Sequence, residues 1–274
     1  MRHPIRVWLD DAWARTRLVQ VLAGGEGDGP LSGRRVLGRI ESPDALAELR
    51  VVTSDGSFSG DICRCPGGLT LSLHDADGEF VGRGTLHGGG AVAWERARFR
   101  DNLEIADPLG LALLLAEHGA SHRLVHFVPQ LADAMGLRED RTRARKAGHG
   151  RGGAVRLTRR QVPASLRSAL VKLSEAEVDG LRERLADEYP DPAGRSVALL
   201  RWLGSLPEPA GAESDEGALV RRLLEGLDPV RGAAALARPP DGAVTLGLLR
   251  WGRYQPGDPD IADLVGPGMR ALLG

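Results

Sequence analysis

The chain carries only two cysteines in 274 residues, Cys63 and Cys65. So few cannot form a disulfide framework, and the usage is that of a reducing compartment, so a cytoplasmic protein is expected. Lysine is almost missing too, with Lys146 and Lys172 alone, while arginine, alanine, glycine and leucine abound. That bias matches GC-rich coding better than any demand for arginine chemistry. No apolar run approaches the roughly 18 residues of a membrane span, and Met1–Arg6 has no apolar signal-peptide region. The formal net charge of −1 leaves no global field that would steer the chain to nucleic acid or membrane.

Catalytic signatures are missing as well. The sequence has no G-x-S-x-G elbow, H-E-x-x-H pair, Rossmann fingerprint, Walker pattern or kinase set. Acidic pairs such as Asp75 and Asp77 belong to a turn, where aspartate is expected. The expectation is therefore a non-enzymatic interaction or regulatory protein with a protein partner and no membrane role.

What is present reads as an α+β protein. Apolar residues make up 42% and charged residues 27%, ordinary for a globular chain long enough for one large or two modest domains. Residues 1–137 read as an α+β domain, an N-terminal antiparallel β-meander with packed helices whose sheet covers about 49–99. Residues 138–162 read as a basic linker and 163–274 as a small all-α domain.

The sheet is the informative stretch. Leu69 to Asp75 alternates apolar and polar residues, and Asp77-Gly78 supplies a two-residue type I′ turn. That turn pairs His74 with Val81, Ser72 with Arg83 and Thr70 with Thr85. One face then carries Leu69, Leu71, Leu73 and Leu86 opposite Gly82 and Gly84, a flat spot for a helix. The helix Leu109–His118, capped by Asp107-Pro108 and stopped by Gly119, is the expected occupant. The other face carries Thr70, Ser72, His74, Arg83, Thr85 and His87 and is expected to be wet. Gly24–Pro30 has no phosphate-loop pattern and reads as a surface loop.

Pro66-Gly67 reads as a second turn, pairing Cys65 with Gly68 and Cys63 with Thr70. Period-two geometry then sets Cys63, Cys65 and His87 on one face at one end of the sheet, with Cys65 and His87 roughly 10 Å apart between backbones. Two thiolates and an imidazole suit zinc or copper(I), with a coordination position left open. The alternative is two small, partly buried cysteines of a reduced protein. His74 lies too far along the strand to join. His118, His122 and His126 are spaced by four, but Gly119 breaks the helix and Leu124–Val128 reads as a strand.

The clearest composition shift is Arg138–Arg160, where Arg141, Arg143, Arg145, Lys146, Arg151, Arg156, Arg159 and Arg160 face almost no acidic residues. Such a run can bind phosphate backbones or an acidic partner, so a nucleic-acid accessory role is a further alternative to a solvated linker. No aromatic residue is interleaved, so base stacking is unsupported.

Beyond it the pattern is helical. Val178, Leu181 and Leu185 mark one helix and Asp191-Pro192 opens another through Val197, Leu200 and Leu203. Leu219, Leu223 and Leu224 mark a third, and a weaker run covers Val244 to Trp251.

The Cys63-x-Cys65-x-Gly67 turn, the Leu86-His87-x-Gly89 hairpin end and the Leu199–Ser205 helix (LLRWLGS) together resemble a family of uncharacterised bacterial proteins from GC-rich genomes. The resemblance covers short islands, implies no activity and adds no site residue.

Overall fold

Seven antiparallel strands form the sheet, which extends on both sides of the expected span of about 49–99. They are β1 (Leu18–Ala23), β2 (Val36–Ile40), β3 (Gly56–Phe58), β4 (Leu69–His74), β5 (Phe80–His87), β6 (Ala91–Trp94) and β7 (Leu103–Ile105), in the order β2-β1-β4-β5-β6-β7-β3. The computed structural model describes residues 3–88, 90–137, 155–156, 161–166, 170–171, 175–206, 214–236, 241–255, 261, 264–265 and 269. It is α+β, with helices following the sheet, and divides into two units, Met1–Arg123 and Leu124–Gly274. No helix among the described residues is long and apolar enough to cross a membrane.

In the first unit, Pro4 opens α1 (Pro4–Arg15), where its missing N–H costs nothing. Ser42 caps α2 (Pro43–Ser54) by accepting from the Ala45 N–H. This helix takes in Val51–Thr53, which the sequence reading gives to the sheet. Thr53 Oγ1 donates to the Leu49 carbonyl one turn back, and both residues are buried, which holds the last turn helical.

The register matches expectation at Thr70 opposite Thr85 and Ser72 opposite Arg83. It departs at the turn, where His74 pairs with Phe80 and not with Val81. Only Gly78 of the turn has positive φ (82°), and the Asp75 carboxylate accepts from the N–H groups of Asp77 and Glu79. The connection is thus a longer turn with a left-handed glycine, and the bulge beside His74 follows from it.

The flat spot at Gly82 and Gly84 is filled by indoles. A Cβ on Gly82 would meet the Trp8 ring of α1, and one on Gly84 the ring of Trp94. Trp94 also meets Trp13 of α1 edge-on with centroids 6.1 Å apart. So α1 occupies the platform in place of the helix expected there, α4 (Pro108–Glu117). Tryptophan reaches further than the leucines of α4 and fills the gap that two missing side chains leave. Asp107 does cap α4, and Gly119 does end it at φ 95°. Ser121–Phe127 then forms 3₁₀ turns where a strand was expected.

The polar face of β4 and β5 is dry over much of its length, with only His74 and Arg83 of the expected set half-buried. Thr70, Ser72, Thr85 and His87 are each at most 2% exposed. Gly24–Glu26, the first part of the glycine-rich segment, folds back as its cover, while residues 27–30 are exposed as expected of a surface loop. The Gly24 carbonyl accepts from Thr70 Oγ1 and the Glu26 carboxylate from Thr85 Oγ1.

The second unit contains α5 (Val128–Ala134), α6 (Glu175–Glu188), α7 (Pro192–Gly204), α8 (Asp215–Leu224), α9 (Pro229–Leu236) and α10 (Gly242–Gly252). A short pair, β8 (Val155–Arg156) and β9 (Leu170–Val171), accompanies them. Within this unit Met135 and Leu137 pack on Gly242 of α10. The predicted leucine stripes are buried in this core: Val178, Leu181 and Leu185 on α6, Leu200 and Leu203 on α7, Leu219 and Leu223 on α8. Gly204 and Gly247 let α7 and α10 cross backbone to backbone.

Candidate metal and thiol site

Cys63 and Cys65 sit in the connection between β3 and β4, which is irregular rather than the strand Ser59–Cys65 the sequence suggested. Backbone bonds tie it down: the Ser59 N–H donates to the Asn102 carbonyl at 3.1 Å, and the Asn102 N–H to that of Asp61 at 3.1 Å. The Gly68 N–H donates to the Leu86 carbonyl at 3.1 Å, which draws the segment along the end of β5. Gly67, at φ 80°, packs so closely on Thr85 that a side chain there would collide.

His87 is the last residue of β5, paired with Ala91 of β6 and 2% exposed. Its Nδ1 lies 3.1 Å from Cys65 Sγ. One donor atom from each of Cys63, Cys65 and His87 falls within 4.8 Å of the others. The convergence expected from the sequence is therefore present, but it is made by a loop and not by a hairpin. Among the described residues no other histidine, cysteine or carboxylate joins this group, and His74 is not part of it.

Cys63 and Cys65 are paired as a disulfide across Arg64, with Cα atoms 5.5 Å apart. This departs from the expectation of two reduced thiols. Adjacent side chains of an i, i+2 pair come within bonding reach here because the loop bends back between them. Cys65 is exposed and Cys63 half-buried, so the pair is open to solvent on one side and backed by the imidazole on the other.

Residues that the sequence reading missed hold this loop in place. Arg96 donates from Nη2 to the Cys63 carbonyl at 2.6 Å and from Nη1 to the Cys65 carbonyl at 3.0 Å. It lies on the single turn α3 (Arg96–Phe99), flanked by Glu95 at φ 41° and Arg100 at φ 55°. Two non-glycine residues in the left-handed region are strain that surrounding contacts must hold, and such strain clusters at functional sites. The contacts are visible: the Glu95 carboxylate accepts from the Arg83 N–H at 2.7 Å, and the Glu95 N–H donates to the Arg83 carbonyl at 3.0 Å. On the far side, the Glu26 N–H donates to the Pro66 carbonyl at 2.6 Å. Arg123 donates to the Gly88 carbonyl at 2.6 Å, next to the imidazole.

Burial lowers the His87 pKa, and the nearby charges of Arg96 and Arg123 lower it further, while Glu26 opposes them. The ring is therefore neutral near pH 7, the form that ligates metals. Its Nε2 is buried with no hydrogen-bond partner among the described residues. Burial likewise lowers the pKa of Arg123.

The basic segment is different. Arg141, Arg143, Arg145, Lys146, Arg151, Arg159 and Arg160 lie outside the described residues, as does the side chain of Arg156, whose backbone pairs with Leu170.

Neither protein-family models, nor curated proteins, nor solved structures yield a match to this chain.

Proposed function

We propose that the first unit binds a soft metal ion, zinc or copper(I), through Cys63, Cys65 and His87 when its thiols are reduced. The observation that carries the reading is the gathering within 4.8 Å of two sulfurs, on a loop clasped by Arg96, and the imidazole nitrogen of His87 at the end of β5. Thiolate and neutral imidazole are the ligands that soft and borderline ions prefer.

The disulfide is the oxidised state of the same pair. A low-molecular-weight disulfide RSSR supplies the oxidant. One cysteine thiolate attacks it and expels RS⁻, and the second displaces the other RS⁻ to close the Cys63–Cys65 bond. The two RS⁻ take up protons from water as two RSH, since the metal-bound thiolates carry none, and a bound metal is released because neither sulfur remains a thiolate. A centre that trades a metal for a disulfide reports metal and redox state. In this reading the chain is a regulator rather than an enzyme, loaded in a reducing compartment such as the cytoplasm, and a protein partner reads its state.

The test is metal and thiol content per chain, measured after reduction and again after oxidation with RSSR. The reduced chain should hold one metal ion with both thiols protected, and the oxidised chain none. A reduced chain with no metal and two freely reactive thiols would overturn the reading.

A further inference from the structure

Within that reading, the metal itself is still to be named between zinc and copper(I). We infer that the centre is built for copper(I). The inference rests on the proposed metal site, and three features of the site argue for the monovalent ion.

The first is the number of donors. Among the described residues the group stops at Cys63, Cys65 and His87, with no fourth histidine, cysteine or carboxylate. Structural zinc closes a tetrahedron with four protein ligands, whereas thiolate-rich sites of lower donor number suit copper(I).

The second is charge. Two thiolates with zinc give a neutral complex, and with copper(I) an anionic one. The groups around the site favour the anion. Arg96 donates to the peptide carbonyls of both cysteines, Arg123 to that of Gly88, and Arg64 stands between the two sulfurs in sequence. The carboxylate near His87 among the described residues, Glu26, is itself 3.5 Å from the Arg83 guanidinium. A surplus of guanidinium charge in a partly buried setting stabilises a site of net −1 over one of net zero.

The third is the imidazole. A histidine that serves catalytic zinc hands its second N–H to a carboxylate or carbonyl, which raises its basicity. His87 is 2% exposed, and its Nε2 meets no such group among the described residues. It is a buried ligand whose second nitrogen no carboxylate or carbonyl among the described residues polarises. That suits a soft ion bound for storage, sensing or transfer better than a Lewis acid that must activate water.

The experiment titrates the full chain, reduced and kept anaerobic, with copper(I) against a colorimetric copper(I) chelator, and then challenges it with a large excess of zinc. One copper(I) per chain, retained against zinc and lost in both Cys63→Ser and Cys65→Ser, is the expected result. Circular dichroism on each variant separates loss of ligand from loss of fold. His87→Asn gives a second readout, a weakened rather than abolished site. Displacement of copper(I) by zinc would overturn the choice of metal and leave the metal site standing. Binding of neither ion would overturn both. Copper(I) that survives both cysteine substitutions would place it elsewhere and overturn the inference.

Discussion

His87 Nδ1 and Cys65 Sγ, separated by 22 residues in sequence, lie 3.1 Å apart. One belongs to the end of a buried strand and the other to an exposed loop. What closes the distance is the loop's attachment at its carbonyls, to Arg96 on one side and to Glu26 on the other. The site therefore depends on residues that are not ligands.

Arg96→Ala removes both donors from the Cys63 and Cys65 carbonyls and frees the loop. Groups that orient metal ligands typically matter about 10–100-fold in affinity, and a loss of that size is expected in a metal titration. Arg96→Lys should restore only part of it, since an ammonium cannot span two carbonyls as a planar guanidinium does. Unchanged affinity in Arg96→Ala would remove Arg96 from the account.

Gly25 is where the cover loop presses on the cysteine loop, because a Cβ there would collide with the Pro66 carbonyl. Gly25→Ala should cost about 1–3 kcal/mol in denaturant unfolding, the range for overpacking. It should also raise the reactivity of Cys63 and Cys65 toward a thiol reagent after reduction. Gly27, with no atom near its Cβ position but a φ of 91°, is a control for backbone strain without collision.

Arg250 anchors the second unit. It is 3% exposed, and its Nη1 donates to the carbonyls of Leu203, Gly204 and Leu206 at the end of α7. Arg250→Met keeps the stem and leaves those carbonyls without that donor. Hydrogen bonds to a charged group contribute about 1.5–3 kcal/mol, and a loss of at least this size is expected in chemical denaturation. A neutral result would mean that the carbonyls are satisfied in other ways.

Asp241 gives a pH signature. Burial alone would raise its pKa, but the N–H of Val244 at the start of α10 and the Arg201 guanidinium at 2.7 Å outweigh it and hold the carboxyl below its ordinary range. A carboxylate with a depressed folded pKa stabilises the fold above its unfolded value, near 3.9, and that contribution is lost as pH falls through the folded value. Asp241→Asn keeps a capping side chain and removes the charge. The stability gap between wild type and variant should be constant at neutral pH and close in acid. A gap that persists unchanged at low pH would contradict the assignment.

Much of the local structure was legible in the sequence because its causes are local. Ser42, Asp107 and Asp191 announce their helices through a side chain that reaches an N–H within three residues. The β4–β5 register was legible up to the turn, where one left-handed residue, Gly78, instead of the expected two shifted His74. The meeting of Cys63, Cys65 and His87 agrees with the expectation, but the period-two hairpin assumed for it does not form, and an irregular loop held by Arg96 and Glu26 makes it instead. Arg96, Glu26 and Arg123 were not legible, since nothing nearby in sequence marks a guanidinium or amide for a carbonyl tens of residues away. The dry polar face was missed for a related reason: the glycines of segment 24–30 read as freedom, and at Gly25 the missing side chain permits close packing on the Pro66 carbonyl.

The most direct measurement is metal-edge X-ray absorption on the reduced full chain loaded with the ion it retains. Two sulfur donors and one nitrogen around the metal are expected, with the sulfur signal falling in Cys63→Ser and in Cys65→Ser. A shell of nitrogen and oxygen alone, or a sulfur signal indifferent to both substitutions, would contradict the site.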